Sequence, residues 1–336
     1  MSERVVDVAP AWRAWVAENL LRNEPAADVV AGLMESGVPE SLAQEVVNET
    51  LHSPIFRAAM PFARESRRLR TFARLDRERW KGQANPTGIE RVAYPGNEAF
   101  FARYWAAGTP VVFTGMTEGW KAHQTWRLPA LAERFGDVPV DITDGRSSNP
   151  NYDMEHKKHI RTVLLRDYVA RILATSGESN DFYMVANNRN TQKGLSGVLD
   201  DIALPPDLFR EDVSSGSAFW LGPAGTVTPL HHDNSNILFF QLIGRKRYRM
   251  IAPLEIALLD GAQAMYGGVD PENPDLDRYP WWSEITVRDF VLEPGDALFI
   301  PVGWWHHVRA LDVSVSLALN AFPKDNHYAF YAPSRD

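Results

Sequence analysis

Residues 228–233 read TPLHHD, in which three residues precede two histidines and an aspartate. His231 and Asp233 are two positions apart, and side chains at positions i and i+2 of a β-strand point to the same face. If this stretch is a strand, an imidazole and a carboxylate project together from it. Such a pair can supply two ligands to one metal ion.

A second histidine pair, His306 and His307, lies in the segment GWWHHVRAL at 303–311. Two histidines and one carboxylate on one face of a metal ion, with its other positions open, are typical of non-haem Fe(II) oxygenases. The two clusters together therefore predict a centre of this kind. The residues alone leave open which histidine of the second pair completes it.

Composition excludes several other chemistries. The chain has no cysteine, which excludes disulfides, cysteine-ligated zinc, iron–sulfur clusters and thiol nucleophiles. A formal net charge of −8 argues against nucleic acid as a partner. The first residues lack the basic-then-apolar order of a signal peptide, and no apolar run reaches the length of a membrane span. These features predict a cytoplasmic protein that does not associate with membranes.

The sequence pattern divides the chain into two regions. Residues 8–52 contain three short helical patterns, and 54–81 reads as an arginine-rich helix, kinked or restarted at a proline. The tract GQANPTG at 82–88 is a break. We therefore expect a helical region over 1–82, used for dimerisation or substrate docking, and a second domain over 89–336. A homodimer formed through the apolar N-terminal helices is the corresponding hypothesis.

Beyond residue 88 the pattern changes to short strands, helices and turns. Many short strands late in the chain, with helices before them, predict a mainly β fold with helical additions, a small barrel or jelly roll. Within it, 237–242 and 246–251 are interpreted as a hairpin. Residues 297–301 are interpreted as a buried strand that continues into the second histidine pair.

The strand at 246–251 places a lysine where a charge is costly. Lys246 shares its face with Tyr248 and Met250, and the opposite face carries arginines that we expect to meet solvent. A lysine that points inward is unfavourable unless an anion pairs with it. That anion is either a carboxylate of the protein or, under the iron hypothesis, the distal carboxylate of bound 2-oxoglutarate.

The last strand, 312–320, alternates strictly between two kinds of side chain. One face is apolar, and the other carries the small or polar residues Ser314, Ser316, Ala318 and Asn320. A face of this kind beside the metal leaves room for a cosubstrate. The alternative is the solvent-exposed face of an edge strand.

Three motifs resemble, in order and spacing, those of the JmjC-type (cupin-like) Fe(II)/2-oxoglutarate oxygenases. They are TPLHHD at 228–233, QLIGRK at 241–246 and LEPGDALFIPVGWWHHVRALD at 292–312. The chain is similar in style to the asparaginyl hydroxylase of the hypoxia factor and its bacterial relatives. The resemblance covers residues 89–322 and implies a double-stranded β-helix, a jelly roll with the metal inside.

The resemblance also implies roles for individual residues. The iron ligands would be His231, Asp233 and His306, with His307 outward and His232 pointing away. Lys246 would bind the distal carboxylate of 2-oxoglutarate, and Tyr183 matches a family tyrosine that often also reaches that carboxylate. Thr228 and Asn320 would be further cosubstrate contacts.

Two positions depart from the family pattern. Relatives often have an asparagine four residues after the ligand aspartate, where this chain has Ile237, with Asn236 one position earlier. The last strand reads LALNAF, whereas relatives often follow their asparagine directly with aromatic residues. Both changes affect the expected geometry of cosubstrate and substrate and leave the triad intact.

The chemistry implied by the resemblance uses Fe(II), 2-oxoglutarate and O2. Decarboxylation of 2-oxoglutarate to succinate and CO2 accompanies hydroxylation of a substrate C–H bond, or demethylation if that carbon is bound to nitrogen. Acidic residues in the insertion at 254–285 favour a basic peptide or protein substrate. Two alternatives stay open: the same chemistry on a small metabolite or an RNA base, and a non-catalytic, metal-binding cupin-like interaction protein.

Overall fold

A computed structural model describes residues 8–255 and 265–328, and the chain divides into two compact units, Met1–Asp76 and Arg77–Asp336. Part of the insertion at 254–285, including Asp260, lies outside the described residues. Among the residues that are described, no helix combines the length and the apolar character needed to cross a lipid bilayer.

The first unit is helical. Its helices are α1 Pro10–Arg22, α2 Ala26–Glu35, α3 Glu40–His52 and α4 Pro54–Lys81, the last turn of which belongs to the second unit. Buried side chains from these helices, among them Val16, Leu33 and Val46, form one apolar core. The three helices predicted within 8–52 are confirmed, whereas α4 continues through Pro61 without a restart.

One face of α4 is apolar and exposed. Its side chains have exposed fractions of 53–83% and are Ile55, Phe62, Leu69, Phe72 and Leu75. The first three recur at intervals of seven residues, which places them along one side of the helix.

Short strands dominate the second unit. They are β1 Glu90–Val92, β2 Val111–Phe113, β3 Pro139–Asp144, β4 Ile160–Leu164, β5 Phe182–Tyr183, β6 Ser217–Gly222, β7 Val227–His231, β8 Ile237–Ile243, β9 Lys246–Ile251, β10 Arg288–Leu292, β11 Ala297–Ile300, β12 Trp305–Ala310 and β13 Ser314–Leu319. The helices are α5 Asn97–Phe100, continued by a π-helical turn at Phe101–Trp105, α6 Lys121–Thr125, α7 Leu128–Phe135, α8 Leu165–Ala174 and α9 Asn190–Lys193.

Two main sheets form the second unit. One has the strand order β1-β2-β11-β8-β13-β6, and the other has the order β10-β9-β12-β7. From β6 onward the chain mostly alternates between them, which is the connectivity of a double-stranded β-helix. A small third sheet has the order β4-β3-β5, and a β-bridge between Met184 and Leu221 links its end to β6 of the first sheet. The mainly β, jelly-roll fold with helical additions is therefore confirmed.

The two main sheets pack face to face. Phe239 and Leu298 of the first sheet lie in one buried cluster with Tyr248 and Val308 of the second. This packing buries the inner faces of both sheets, so that side chains from facing strands line the interior. Any group held between the sheets is consequently screened from bulk water.

The hairpin predicted for β8 and β9 is wrong. β8 pairs with β11 and β13, whereas β9 pairs with β10 and β12. The turn at Gly244 therefore carries the chain from one sheet to the other. Two apolar strands joined by a tight turn have the same sequence pattern whether they pair with each other or face each other across a core.

One further strand prediction is corrected, and one alternative is excluded. β11 and β12 belong to different sheets, so the second histidine pair does not continue the strand at 297–301. β13 lies between β8 and β6 and is not an edge strand. Ser316 on it is fully buried and donates from its Oγ to Gln241 Oε1 at 2.8 Å. Ser314 and Ser316 of this face are therefore buried inside the protein, and the Ser314 Oγ has no hydrogen-bond partner among the described residues.

Candidate metal centre

The structure brings the three predicted ligands together. His231 ends β7 and pairs directly with His306 on the neighbouring strand β12. Their imidazole centroids are 4.2 Å apart, and the Asp233 Oδ2 lies 3.5 Å from the His306 Nε2. One ligand atom from each residue lies within 4.8 Å of the others. Asp233 lies beyond the end of β7, so strand alternation explains its direction only in part.

Backbone carbonyls orient both imidazoles. The His231 Nδ1 is 2.8 Å from the Pro229 carbonyl oxygen, and the His306 Nδ1 is 2.9 Å from that of Trp304. An N–H at Nδ1 that donates to a carbonyl leaves the lone pair on Nε2, which is the usual arrangement of metal-binding histidines. Two imidazole nitrogens and one carboxylate fit Fe(II).

Burial keeps His306 in its neutral form. Loss of hydration on burial, assisted by the neighbouring His231, lowers the pKa of His306 to about 4. A neutral imidazole is the form that binds a metal ion. The site therefore needs no proton loss from this residue at neutral pH.

Lys246 has no anionic partner among the described residues. It is 1% exposed, and its Nζ donates to the Tyr183 Oη at 3.0 Å. Burial lowers the pKa of Lys246 to about 7, with no carboxylate to oppose the shift. This excludes a described carboxylate of the protein as its partner. A buried amine whose only hydrogen-bond partner among the described residues is a phenol fits the carboxylate of a bound ligand.

A cavity of about 260 Å³ adjoins the triad. Its lining includes His231 and Asp233 together with the predicted cosubstrate contacts Thr228 and Asn320. The Lys246–Tyr183 pair is buried separately and is not part of this lining. The structure thus places two of the four predicted contacts beside the ligands and the other two next to each other.

Relatives often have an asparagine at the position of Ile237, and the neighbouring Asn236 does not take its place in this chain. Its Nδ2 donates to Asn326 Oδ1 at 2.9 Å, and its Oδ1 accepts the backbone N–H of Val302 at 3.0 Å. These bonds hold its amide away from the cavity, where Ile237 takes its place in the lining. The departure noted in the sequence therefore makes this part of the cavity apolar.

The other histidine of each pair, His232 and His307, lies apart from the triad, and both are buried. His307 belongs with Asp270 and Glu272 to a second group of potential ligands. His232 lies edge-on to the ring of Trp305, with centroids 4.6 Å apart. Both side chains lie outside the triad, as the resemblance implies, but neither is a surface residue.

The sequence-based site omits three residues near the triad. Tyr266 forms a β-bridge with His231, and Asp153 lines the same cavity. Arg146 is buried, donates to the Val227 carbonyl oxygen at 2.7 Å and lies 3.8 Å from Asp153. All three lie in loops or short turns without a motif, and only the fold brings them to the site.

The fold and the triad define a cupin-like protein of the JmjC type. Residues 97–325 match the family described as "Cupin-like domain", and the chain belongs to this family. It is 31% identical over 237 residues to "Lysine-specific demethylase JMJ30" of Arabidopsis thaliana, covering 68% of this chain and 54% of that protein. It is 30% identical over 246 residues to "Lysine-specific demethylase 8" of Danio rerio, covering 70% and 58%.

A further relative carries a different name. The chain is 26% identical over 241 residues to "tRNA wybutosine-synthesizing protein 5" of Gallus gallus, covering 68% of this chain and 74% of that protein. The chain spans little more than half the length of the demethylase relatives it matches. These similarities support the JmjC group as a whole and do not single out the asparaginyl hydroxylases.

Proposed function

We propose that this protein is an Fe(II)- and 2-oxoglutarate-dependent oxygenase that hydroxylates a side chain of a protein or peptide. The observation that carries the proposal is that His231, Asp233 and His306 come together next to strand β9, which carries Lys246, a buried amine without a carboxylate partner among the described residues. A metal-binding scaffold would need the triad alone. The lysine adds a requirement for a carboxylate ligand.

Each residue has a defined task under this proposal. The Nε2 atoms of His231 and His306 and the carboxylate of Asp233 would hold Fe(II). Lys246 Nζ and Tyr183 Oη would bind the distal carboxylate of 2-oxoglutarate by a charge-assisted hydrogen bond and a neutral one. A bound carboxylate would favour the charged form of Lys246 and offset the effect of burial on its pKa.

The overall reaction is balanced by the two cosubstrates. When bound, iron and 2-oxoglutarate supply the activation of O2; one oxygen atom enters the substrate as a hydroxyl group and the other enters succinate, with release of CO2. The protein would orient the substrate and exclude water between its two sheets. Hydroxylation of an N-methyl carbon would be followed by loss of formaldehyde, so demethylation uses the same steps.

The relatives support a protein substrate, because several are named as lysine-specific demethylases. A modified RNA base is the second candidate, favoured by the tRNA wybutosine-synthesizing relative. The net charge of −8 disfavours that candidate, because affinity for RNA depends on cationic groups that neutralise phosphates.

An anaerobic titration tests the proposal. Fe(II) and then 2-oxoglutarate are added to the protein while the weak visible charge-transfer band of the iron chelate is followed. We expect the band to appear, and we expect succinate to form slowly once O2 is admitted. An Asp233→Ala variant is the control and should show neither signal. Retention of iron without a band in the unmodified protein would favour the non-catalytic scaffold.

A further inference from the structure

Tyr248 lies on β9 between the level of the metal ligands and that of Lys246. Strand pairing places Met250 of β9 opposite His306 of β12, and Tyr248 and Lys246 stand two and four positions earlier in the chain than Met250. Alternate side chains of a strand share one face, so Tyr248 points into the core together with Lys246. A cosubstrate that extends from the metal ligands to Lys246 therefore passes the level of Tyr248.

The hydroxyl of Tyr248 has no partner among the described residues. The side chain is fully buried, and its Oη makes no hydrogen bond with any of them. Two other buried phenols of the same unit are satisfied: Tyr183 Oη accepts from Lys246 Nζ at 3.0 Å, and Tyr168 Oη donates to the Leu221 carbonyl oxygen at 2.6 Å. Buried polar groups are rarely left unsatisfied unless a ligand or an ordered water completes them. Tyr248 therefore lacks a partner that a ligand could supply.

Aromatic contacts hold the ring of Tyr248 in place. It stacks on Phe290 of the neighbouring strand β10, with centroids 5.7 Å apart and planes at 9°. It also lies edge-on to Phe239 of the facing sheet, at 5.7 Å between centroids. Lys246 Nζ lies 5.1 Å from the centre of the same Phe239 ring. The phenol and the amine therefore pack against one side chain, and the two neighbouring rings restrict the direction of the hydroxyl.

The Tyr248 hydroxyl is a hydrogen-bond donor at neutral pH. Burial, assisted by Tyr183 and by the carboxylate of Asp233, raises the pKa of Tyr248 well above its usual value, so the phenol keeps its proton. The influence of both groups also places the hydroxyl within electrostatic reach of the metal centre and of the Lys246–Tyr183 pair. A carboxylate has about four lone-pair sites. One held by Lys246 and Tyr183 can therefore accept a third hydrogen bond.

We propose that Tyr248 is a third donor to the distal carboxylate of 2-oxoglutarate, which its Oη binds together with Lys246 and Tyr183. The inference rests on the proposed function, which supplies this cosubstrate. A carboxylate bound there gives the hydroxyl the partner that it lacks. Because Tyr248 and Lys246 lie on one face of one strand, the two donors together fix how deep the carboxylate sits between the sheets.

A comparison of two 2-oxo acids tests this contact without turnover. Tyr248→Phe removes the hydroxyl and keeps the ring. The probes are 2-oxoglutarate and 2-oxovalerate, which has a methyl group in place of the distal carboxylate. Dissociation constants for both are measured anaerobically with Fe(II) from the chelate band, and that of 2-oxoglutarate also by ligand-observed NMR on the metal-free protein. We expect the variant to bind 2-oxoglutarate at least about fivefold more weakly and 2-oxovalerate equally well.

Tyr168→Phe is the matched control, because it removes a buried hydroxyl that donates to a carbonyl oxygen of the protein. It should lower the urea midpoint of unfolding and leave the preference for 2-oxoglutarate over 2-oxovalerate unchanged. Tyr248→Phe should leave the midpoint without ligand unchanged or higher, because the hydroxyl that it removes has no partner among the described residues. Added 2-oxoglutarate should raise the midpoint of the unmodified protein more than that of Tyr248→Phe.

The outcomes separate this inference from the proposed function. Unchanged binding of 2-oxoglutarate by Tyr248→Phe, or an equal loss for both acids, would overturn the contact. A lower midpoint without ligand and no selective loss for 2-oxoglutarate would assign the hydroxyl to an ordered water and overturn it as well. Metal-free binding of 2-oxoglutarate that depends on Tyr248, in a protein without a chelate band, would support the contact and contradict the oxygenase. A chelate band that the variant forms equally well would do the reverse.

Discussion

His306 and His307 are adjacent in the chain and differ in their surroundings. His306 lies with His231 and Asp233, whereas His307 faces Asp270 and Glu272 on the other side of β12. We expect His306→Ala to weaken Fe(II) binding at least about tenfold, because one of three ligands is lost. His307→Ala should retain iron. Equilibrium dialysis with metal analysis measures both, and equal losses would mean that the ligand assignment is wrong.

Lys246 tests the cosubstrate assignment at the same scale. Lys246→Ala should raise the 2-oxoglutarate concentration needed for half-maximal chelate formation at least roughly tenfold, equivalent to about 1.4 kcal/mol for a charge-assisted contact. Arg247→Ala is the matched control, since this exposed cation on the opposite face of β9 pairs with Asp289. An unchanged requirement in the Lys246 variant would remove it from this role.

At the level of elements, the turn at Gly244 connects the two sheets. Its φ is +67°, and a Cβ there would lie 2.2 Å from the Val313 carbonyl oxygen. Gly244→Ala should therefore lower the free energy of unfolding by about 2–4 kcal/mol, from left-handed strain plus the clash. Gly108 has a φ of +58° with no atom within 4 Å of such a Cβ. Gly108→Ala should cost only about 1–2 kcal/mol.

Urea unfolding of the three proteins gives these values. A loss at Gly244 no larger than that at Gly108 would show that the backbone at residue 313 moves to make room. In that case the crossing between the sheets would be less constrained than the structure indicates.

Burial of Lys246 makes the stability of the second unit depend on pH. Its pKa falls from 10.5 to about 7 on folding. Between these two values the unfolded chain binds more protons than the folded one, so stability rises with pH. Relative to a Lys246→Met variant, the protein should gain up to about 3 kcal/mol between pH 7 and pH 9. Well below pH 7 the difference should be constant, because Lys246 is then protonated in both states.

Denaturant unfolding of the protein and the variant at several pH values, without 2-oxoglutarate, measures this difference. A parallel pH dependence in both proteins would show that Lys246 keeps its proton in the folded state. Its charge would then have a partner other than a bound carboxylate.

Homodimer formation through the N-terminal helices stays a prediction about the whole molecule. The exposed apolar face of α4 supports it, and Phe62→Glu with Leu69→Glu should convert a dimer to a monomer. Sedimentation velocity over a range of concentrations measures this, with Leu173→Glu, at an exposed position of α8, as the control. A monomer at all concentrations in the unmodified protein would refute the dimer.

Much of the site follows from local sequence. His231, Asp233 and His306 belong to short motifs, and the alternation around Lys246 predicts its inward direction correctly. Such short patterns can be recognised in a sequence because side-chain direction along a strand and the residue types that bind a metal depend on only a few neighbouring residues. Asp153 and Arg146 have no such pattern, since nothing near them in the chain shows that they meet the metal centre.

The sequence by itself determined the class of fold, the helical N-terminal region and the chemical nature of the predicted metal ligands, because all three depend on local composition and spacing. Only the tertiary structure decided that β8 and β9 face each other across the core, that Asn236 turns away from the cavity and that His307 lies with Asp270 and Glu272 outside the triad. Strand pairing and cavity shape depend on contacts between residues that are far apart in the chain. A buried strand face has the same apolar sequence pattern whichever strand packs against it.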